Sequence, residues 1–559
     1  MIIPNESSAR EQFFDELQRQ CLASRADRFS FYQKLRNYYL FGTGDGSGAP
    51  YNKIGSTIET LASFLYSPDS TRFSIHLGVT ADREDVFKAI PLAKEATDQW
   101  RISATHLRFA LGLEWSMVFG TMLMKAQWDT RAKAIKTYLV EPHQFGVLRE
   151  DVVDLSDQEA FCMCYSITRT QLESALQGHK NKNDILGRIG VSTAGGGELY
   201  SEGLKRLIIG GPVEGVSGSV ASGQGGSSYV QGGGMDGDYS YAPNVAAEMV
   251  NMVDLYVYDD EIEDYQLISI AEPNVIIYDR PQSKVGIAKH PHFCVIRPQG
   301  KLYDYFWGSS FVAQLSWLQD WRTERINQLR GLMGRQFDPP MWGTGMAGIS
   351  EEKFLGFRAK GSRMSMPTPG GSINVVMPEM PPDAFAELGQ IDSMFDDVAG
   401  LGHILQGKGE SGVRSKGQAD LMARLGSSRP KSKAIIAEEC AEDCATLILH
   451  NVQEHSDQRF IATLPDSKEL VFVAKQFTID YEVKVDAHSS SPIFIEDRKK
   501  DATELFEAKA IDRETLLDMF DPPNIQDLKE RLKVIEAKEA EQAKMQMQME
   551  AQKGAPHHK

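Results

Sequence analysis

Two short stretches of this chain place chemically capable residues at a spacing that could matter. The first is Gly402–Gly409. Gly402, Gly407 and Lys408 fall at the spacing of the phosphate-cradling pattern G-x-x-x-x-G-K-[ST]. That loop needs a hydroxyl after the lysine to hold Mg²⁺, and Gly409 stands there instead. It also needs a buried strand in front of it, whereas an amphipathic helical pattern precedes Gly400. A nucleotide hydrolase using Gly402–Gly409 is thus an alternative whose local context argues against it. The second stretch is His290, His292 and Cys294. They alternate, so their side chains could share one strand face in a metal-competent arrangement. No second cluster supplies a fourth ligand, and a strand entering the core beside Pro291 accounts for the same residues. No G-x-S-x-G elbow or H-E-x-x-H pair occurs. The acidic run Asp259–Asp264 reads as a solvated turn. The residues therefore point to no catalytic group, no metal and no cofactor.

A third stretch is chemical only through its charge. The glycine-rich loop Gly400–Gln418 carries His403, Lys408, Arg414 and Lys416, with Glu410 as its one acid. It is either a solvent loop with chance charge or a flexible loop facing a polyanion, where Lys and Arg would touch phosphates without reading sequence. The whole chain is acidic, with a formal net charge of −17. That excess argues against a protein that coats nucleic acid, though not against one that guides DNA without gripping it.

Length and composition bound the rest. The 559 residues suffice for two to four domains, and 42% hydrophobic with 25% charged residues is usual for a folded protein. Six cysteines are too sparse for a disulfide scaffold, so all six are expected to be small buried hydrophobes in a reducing compartment. The N-terminus lacks a signal-peptide pattern, and no apolar run is long enough to span a membrane.

The elements follow from hydrophobic period. Residues 7–41 and Ile54–Tyr66 read as helices separated by the glycine-rich loop Gly42–Pro50. Arg72–Leu77 alternates like a strand, Ala81–Phe119 reads as one long helical stretch, and Gly120 stops it. Thr121–Trp128, Ala134–Val140 and Glu159–Thr168 extend the sheet, which makes the first half α+β. Ten of the thirty residues from Gly211 to Ser240 are glycine, so 187–241 is an excursion that cannot build a core. Met249–Tyr258, Tyr265–Ile270 and Asn274–Tyr278 form a meander, with Phe293–Pro298 as a fourth strand. Gly308 then opens a long helix that Ser309 or Ser310 can cap, with Phe311, Leu315, Leu318, Ile326, Leu329 and Met333 on or near one face. Arg322, Glu324, Arg325, Gln328 and Arg330 form its polar flank, and Pro339 and Pro340 end it. After a Gly/Pro/Met-rich insertion come a second helix, Asp383–Val398, and a third, from Gln418 to about His455, which Pro430 should kink. Phe472–Val485 alternates as one or two strands. Asp501–Asp518 is helical, and Asp521 and its two prolines cap a last helix.

The order of these parts from Asn274 to His455 resembles the portal proteins of tailed bacteriophages, particularly the head-to-tail connectors of short-tailed phages. Pro291, His292 and Phe293 close a β-rich segment, and Trp307, Gly308 and Ser309 open the long helix containing Ile326 and Asn327. A short β-containing insertion, a second helix, a glycine-rich loop with Ser411 and Gly412 and a kinked helix follow. The aromatic helix with Arg36, Asn37, Tyr38 and Tyr39, then Asn52, Lys53 and Ile54, resembles the start of such a protein. Lys509–Leu516 through Pro523 is similar to the beginning of its terminal helical region. Each motif is short and made of common residues; the order of all of them carries the resemblance, which spans most of the chain except the excursion.

The resemblance implies an α+β protomer with named parts. Residues 1–308 would be mainly wing, 309–336 the first stem helix, 337–382 the clip, 383–399 the second stem helix and 400–418 the tunnel loop. Residues 419–494 would be the kinked helix and its return to the wing, and 495–559 the crown or barrel helices and tail. His403, Lys408, Arg414 and Lys416 would face DNA, and Arg322, Glu324, Arg325 and Arg330 would lie between subunits of a ring, usually dodecameric. Such a ring is no enzyme. It sits at one capsid vertex, is assembled in the host cytoplasm with capsid and scaffolding proteins, and passes double-stranded DNA without sequence preference. A terminase motor drives that DNA in, tail adaptor proteins attach later, and the genome leaves by the same channel. Another virion structural protein, such as a tail adaptor, is the remaining alternative.

Overall fold

The computed structural model describes, apart from scattered single residues, positions 1–193, 248–300, 305–337, 341–344, 372–375, 381–400, 428–463, 469–485 and 502–520, with isolated residues elsewhere. Most of the Gly/Ser-rich excursion, the loop at 401–427 and most of the terminal helix and tail lie outside the described residues. The fold is mixed α and β. In chain order come α1 (Ser7–Phe41), α2 (Lys53–Leu65), β1 (Phe73–Leu77), α3 (Arg83–Ile102), α4 (Thr105–Phe119), β2 (Met122–Asp129) and β3 (Ala134–Val140). Then follow β4 (Phe145–Val147), β5 (Ala160–Thr168), α5 (Arg169–Ala175), α6 (Lys182–Arg188), β6 (Ser192–Thr193), β7 (Glu248–Asp259), β8 (Asp264–Ala271), β9 (Val275–Pro281) and β10 (Phe293–Ile296). The last group is α7 (Phe311–Phe337), β11 (Met341–Thr344), β12 (Ser372–Val375), α8 (Ala384–Ala399), α9 (Ser428–His455), β13 (Arg459–Thr463), β14 (Glu469–Val473), β15 (Tyr481–Val485) and α10 (Arg513–Phe520).

The helix expected over Ala81–Phe119 is two helices. Ala104 adopts a left-handed φ of 53°, which no α-helix continues through. The break brings the buried rings of Trp100 and Phe109 to 5.5 Å of one another. Their joint burial outweighs the cost of the strained residue.

The meander forms as its alternation suggests, in a sheet ordered β4-β5-β7-β8-β9 with β6 paired to β7. One face carries Cys162, Cys164, Leu255, Val257 and Ile268 against Phe14, Leu17 and Cys21 of α1. The other carries Phe161, Tyr256 and Tyr265 against Phe145, Phe293, Phe306 and Trp307. Phe293–Ile296 is not a fourth strand of this sheet. It pairs with β2 in a separate sheet ordered β10-β2-β3 that covers the aromatic face. Between the sheets Lys125 Nζ lies 3.4 Å from Asp254 Oδ2, while Asp254 Oδ1 accepts from Tyr165 at 3.1 Å and Ser269 at 2.8 Å. Both charges are buried, so each is tolerable only because the other and these hydroxyls are there.

Two further expectations need correction. Cys21, Cys162, Cys164 and Cys440 are buried and free, but Cys294 and Cys444 form a disulfide. Linear spacing cannot show a pair set by a strand and a helix 150 residues apart. Cysteine usage therefore no longer argues for a reducing compartment. In α9, Pro430 does not kink the described helix. It sits in the first described turn, where a missing N–H costs nothing, and the arm expected before it lies outside the described residues. The strand β13, absent from the sequence reading, pairs with β14 as a hairpin, while β15 crosses to pair with β1.

The long helix α7 is rooted where its chain crosses the turn after α4. The Gly308 N–H donates to Thr121 Oγ1 at 2.7 Å, and Ser310 Oγ donates to Val118 O at 2.5 Å. Ser310 Oγ also accepts from Ala313 N at 3.0 Å, so Ser310 is the cap. Trp307 Nε1 donates to Glu150 Oε1 at 2.8 Å. A Cβ on Gly308 would lie 2.2 Å from the Gly120 carbonyl oxygen, and one on Gly120 would lie 2.2 Å from that of Gly308. Gly120 also has φ of 89°, so both positions require glycine. Gly308→Ala should therefore cost about 3 kcal/mol, the upper end for forced overpacking, because backbone must move. Urea unfolding of the variant measures it, with exposed Gly331→Ala as the control that should cost nothing.

Candidate functional site: the helical hairpin and its clasp

Helices α7 and α8 run antiparallel as a hairpin whose far end carries the antiparallel pair β11-β12. The buried residues of α7 nearest its start, Phe311, Val312, Leu315 and Leu318, join the main core with α1, α2, α4 and α9. On α8, Ile391 and Phe395 are buried, and Phe395 and Ala399 enter that core. Further out, the hairpin is held by charge. Arg322 Nε lies 2.9 Å from Asp392 Oδ1, and Arg325 Nε lies 2.8 Å from Glu387 Oε1. The partner number falls as the α7 number rises, which is the register of an antiparallel pair. Arg325 also donates to Gln328 at 2.7 Å, and Glu324 accepts from Gln328 at 2.9 Å. Arg330 is exposed.

A clasp from α2 locks the hairpin base. Asn52 caps α2 by accepting from Gly55 N at 3.2 Å and donates to Tyr39 O at 2.6 Å. That places Lys53 with its Nζ 3.1 Å from Asp396 Oδ1, 3.3 Å from Asp392 Oδ1 and 5.1 Å from the Phe395 ring centre. The Lys53 N–H donates to Gln319 Oε1 at 3.1 Å, and Gln319 Nε2 donates to Tyr51 O at 2.9 Å. The Arg322 guanidinium stacks over the Tyr51 ring at 4.4 Å. Tyr38 donates to Asp320 at 2.6 Å from α1. Burial works to raise the Asp392 carboxyl, but the Arg322 and Lys53 charges outweigh it and hold its pKa below the usual value.

Two of the arginines singled out in the sequence, Arg322 and Arg325, are thus joined to acids of the same chain. Sequence reasoning missed Lys53, Asp392 and Asp396. Part of the signal was there: Asp392 and Asp396 are one turn apart on the expected second helix. Outward, the hairpin stays apolar at its edges. Trp317, Met333 and Phe337 of α7 and Phe385, Met394 and Val398 of α8 are exposed. Along α7 a groove of about 830 Å³ is lined by Asp320, Glu324, Asn327, Gln328 and Arg335 among others.

His403, Lys408, Arg414, Lys416 and the whole Gly402–Gly409 stretch lie outside the described residues. The candidate metal trio is placed. Cys294 has its sulfur in the disulfide, His290 stacks on His450 with ring centres 5.1 Å apart, and His292 is buried with Nε2 unpartnered. Burial, with nearby Lys125, pushes His292 down to about 3, and burial with His290 pushes His450 down to about 4. Among the described residues no group of three His, Cys, Asp or Glu is arranged to hold a metal, and no helix is long and apolar enough to cross a membrane. Asp259–Asp264 forms the turn between β7 and β8, exposed at 260–263 but with Asp264 buried and accepting from Ser283 N at 3.1 Å. Compared with protein-family models and with curated proteins, the chain matches none.

Two outcomes follow from this geometry. Lys53→Met should destabilise the protein by about 3 kcal/mol, since it leaves the buried Asp396 without its cation; thermal or urea unfolding measures this, with Arg325→Met, an exposed pair, costing under about 1 kcal/mol. The histidines give a pH dependence. Their folded values lie below the usual 6.5, so the unfolded chain binds more protons in acid, and stability falls as pH drops below 6.5. His450→Gln should flatten the slope of unfolding free energy between pH 6.5 and about 4.

Proposed function

We propose that this chain is a portal-type protomer of a tailed bacteriophage, a ring-forming conduit at one capsid vertex and not an enzyme. The observation that carries the reading is the α7–α8 hairpin. It leaves an α+β body, is fixed at its base by the Gly120–Gly308 contact and the Lys53 clasp, and ends in a small β pair. It also exposes apolar side chains on both of its helices. A ring built from identical subunits needs two different, complementary surfaces on each copy, and a hairpin with two exposed ridges offers them.

On this reading α7 and α8 are the stem and 337–382 is the clip, which would meet the terminase motor and later the tail adaptors. Capsid and scaffolding proteins would contact the wing. The intrachain ion pairs of Arg322 and Arg325 would stiffen the stem from within, so that Glu324, Arg330 and the apolar ridges are left for neighbouring copies. A net charge of −17 suits a channel through which double-stranded DNA passes without sticking. His403, Lys408, Arg414 and Lys416 would supply the few phosphate contacts. Assembly would take place in the host cytoplasm, with the ring ending in the virion.

Sedimentation of the purified protein tests the reading. Phe385→Glu combined with Met394→Glu should convert rings to monomers while circular dichroism stays that of the native chain. Rings that persist in this variant would remove the stem ridge from the interface. Lys408→Ala, Arg414→Ala and Lys416→Ala together should leave ring assembly intact and lower the yield of packaged DNA. An unchanged yield would remove the loop's role, and ATP turnover lost on Lys408→Ala alone would favour the hydrolase instead.

A further inference from the structure

The chain leaves the body for the hairpin beside β10 and returns to it along α9, and these two elements lie side by side. Their contact is antiparallel. Gly300 approaches Ile436, Cys294 is bonded to Cys444, and His290 stacks on His450. Everything in the hairpin, from α7 to α8, therefore lies inside the loop that the Cys294–Cys444 bond closes. We propose that this bond is a reversible redox staple across the neck of the hairpin, open in a reducing medium and closed in an oxidising one.

Three features of the neck support a staple that opens without unfolding the chain. First, α9 is held apart from the bond by Ala434, Ala437, Ala441, Ala445, Ile448 and Val452, all buried in the main core. Second, Cys294 Sγ lies 3.5 Å from the Cys440 carbonyl oxygen. In the dithiol form the Cys294 S–H has an acceptor already in place, so reduction does not orphan that thiol. Third, the third thiol at this neck is kept out of the exchange. Cys440 sits one helical turn before Cys444, and burial pushes it up to about 11. It is therefore almost wholly protonated at neutral pH, and a thiol attacks a disulfide only as thiolate. The bond stays between Cys294 and Cys444.

Closing the staple needs an oxidant, and a low-molecular-weight disulfide serves. The Cys294 and Cys444 thiols displace two thiols from it in succession; one S–S bond breaks and one forms. Two electrons pass from the cysteines to the small disulfide, and the two protons leave with the released thiols. A dithiol reductant runs the sequence backwards. Both sulfurs are buried, so exchange goes through local opening of the neck and is slower than at an exposed bond.

The test uses the full chain, incubated with oxidised glutathione or with dithiothreitol, then denatured and alkylated with iodoacetamide. The oxidised protein should take up four alkyl groups, matching the four free cysteines. The reduced protein should take up six, matching all cysteines in the chain. Reduction should lower the apparent melting midpoint by roughly 5 °C, as expected for releasing a long closed loop. Oxidised glutathione should restore both the count and the midpoint. Cys294→Ser should melt at the lower midpoint in either medium, and Cys440→Ser should still respond as the unaltered chain does. Six alkyl groups on the oxidised protein would overturn the proposal, as would a midpoint indifferent to reductant or a bond that does not re-form. The alkyl count needs no variant, so a Cys294→Ser chain that fails to fold leaves the test standing.

Discussion

Among the described residues, the tightest constraint is between two backbones. Gly120 ends α4, Gly308 begins the approach to α7, and each carbonyl occupies the space where the other's side chain would be. Only a pair without Cβ atoms lets the chain cross there. Around the crossing, Glu150, Thr121 and Val118 accept the hydrogen bonds that Trp307, Gly308 and Ser310 donate. Because these partners come from the body, the direction of α7 is set before its own packing begins. The ion pairs further along then have only to hold α8 against a helix that is already aimed.

The clasp at Lys53 is the second level of that design. Asp392 is partly exposed and could be solvated alone, but Lys53 and Asp396 are too buried for that. Removing Lys53 strands Asp396, whereas Lys53 without Asp396 keeps Asp392, so the lysine is the keystone of the hairpin base. The outer pair Arg325–Glu387, more exposed, contributes little to stability and acts on register. Apolar edges remain outside both levels, and they are what the proposed ring would cover.

Much of this was legible in the sequence because it rests on short-range pattern. The serine cap, the stops at Gly42 and Gly120, the meander and the buried part of the α7 stripe, Phe311, Leu315, Leu318 and Leu329, are each local rules, whereas Met333, expected on that stripe, is exposed. The break at Ala104 was not, since its cause is the meeting of Trp100 with Phe109 in the core. The transfer of Phe293–Ile296 to a second sheet, the Cys294–Cys444 bond and the Lys53 clasp were hidden for the same reason: each is a contact between residues far apart in sequence. The metal reading of His290, His292 and Cys294 assumed a shared strand face, whereas the strand begins only at Phe293, His290 stacks on His450, Cys294 is bonded to Cys444 and His292 is buried with Nε2 unpartnered.

The central claim is that copies of this chain close into a ring around a channel. Negative-stain electron microscopy of the purified full-length protein tests it most directly, over a range of protein and salt concentrations. The account predicts closed rings with a central hole in end view. Monomers or compact dimers under every condition would contradict it.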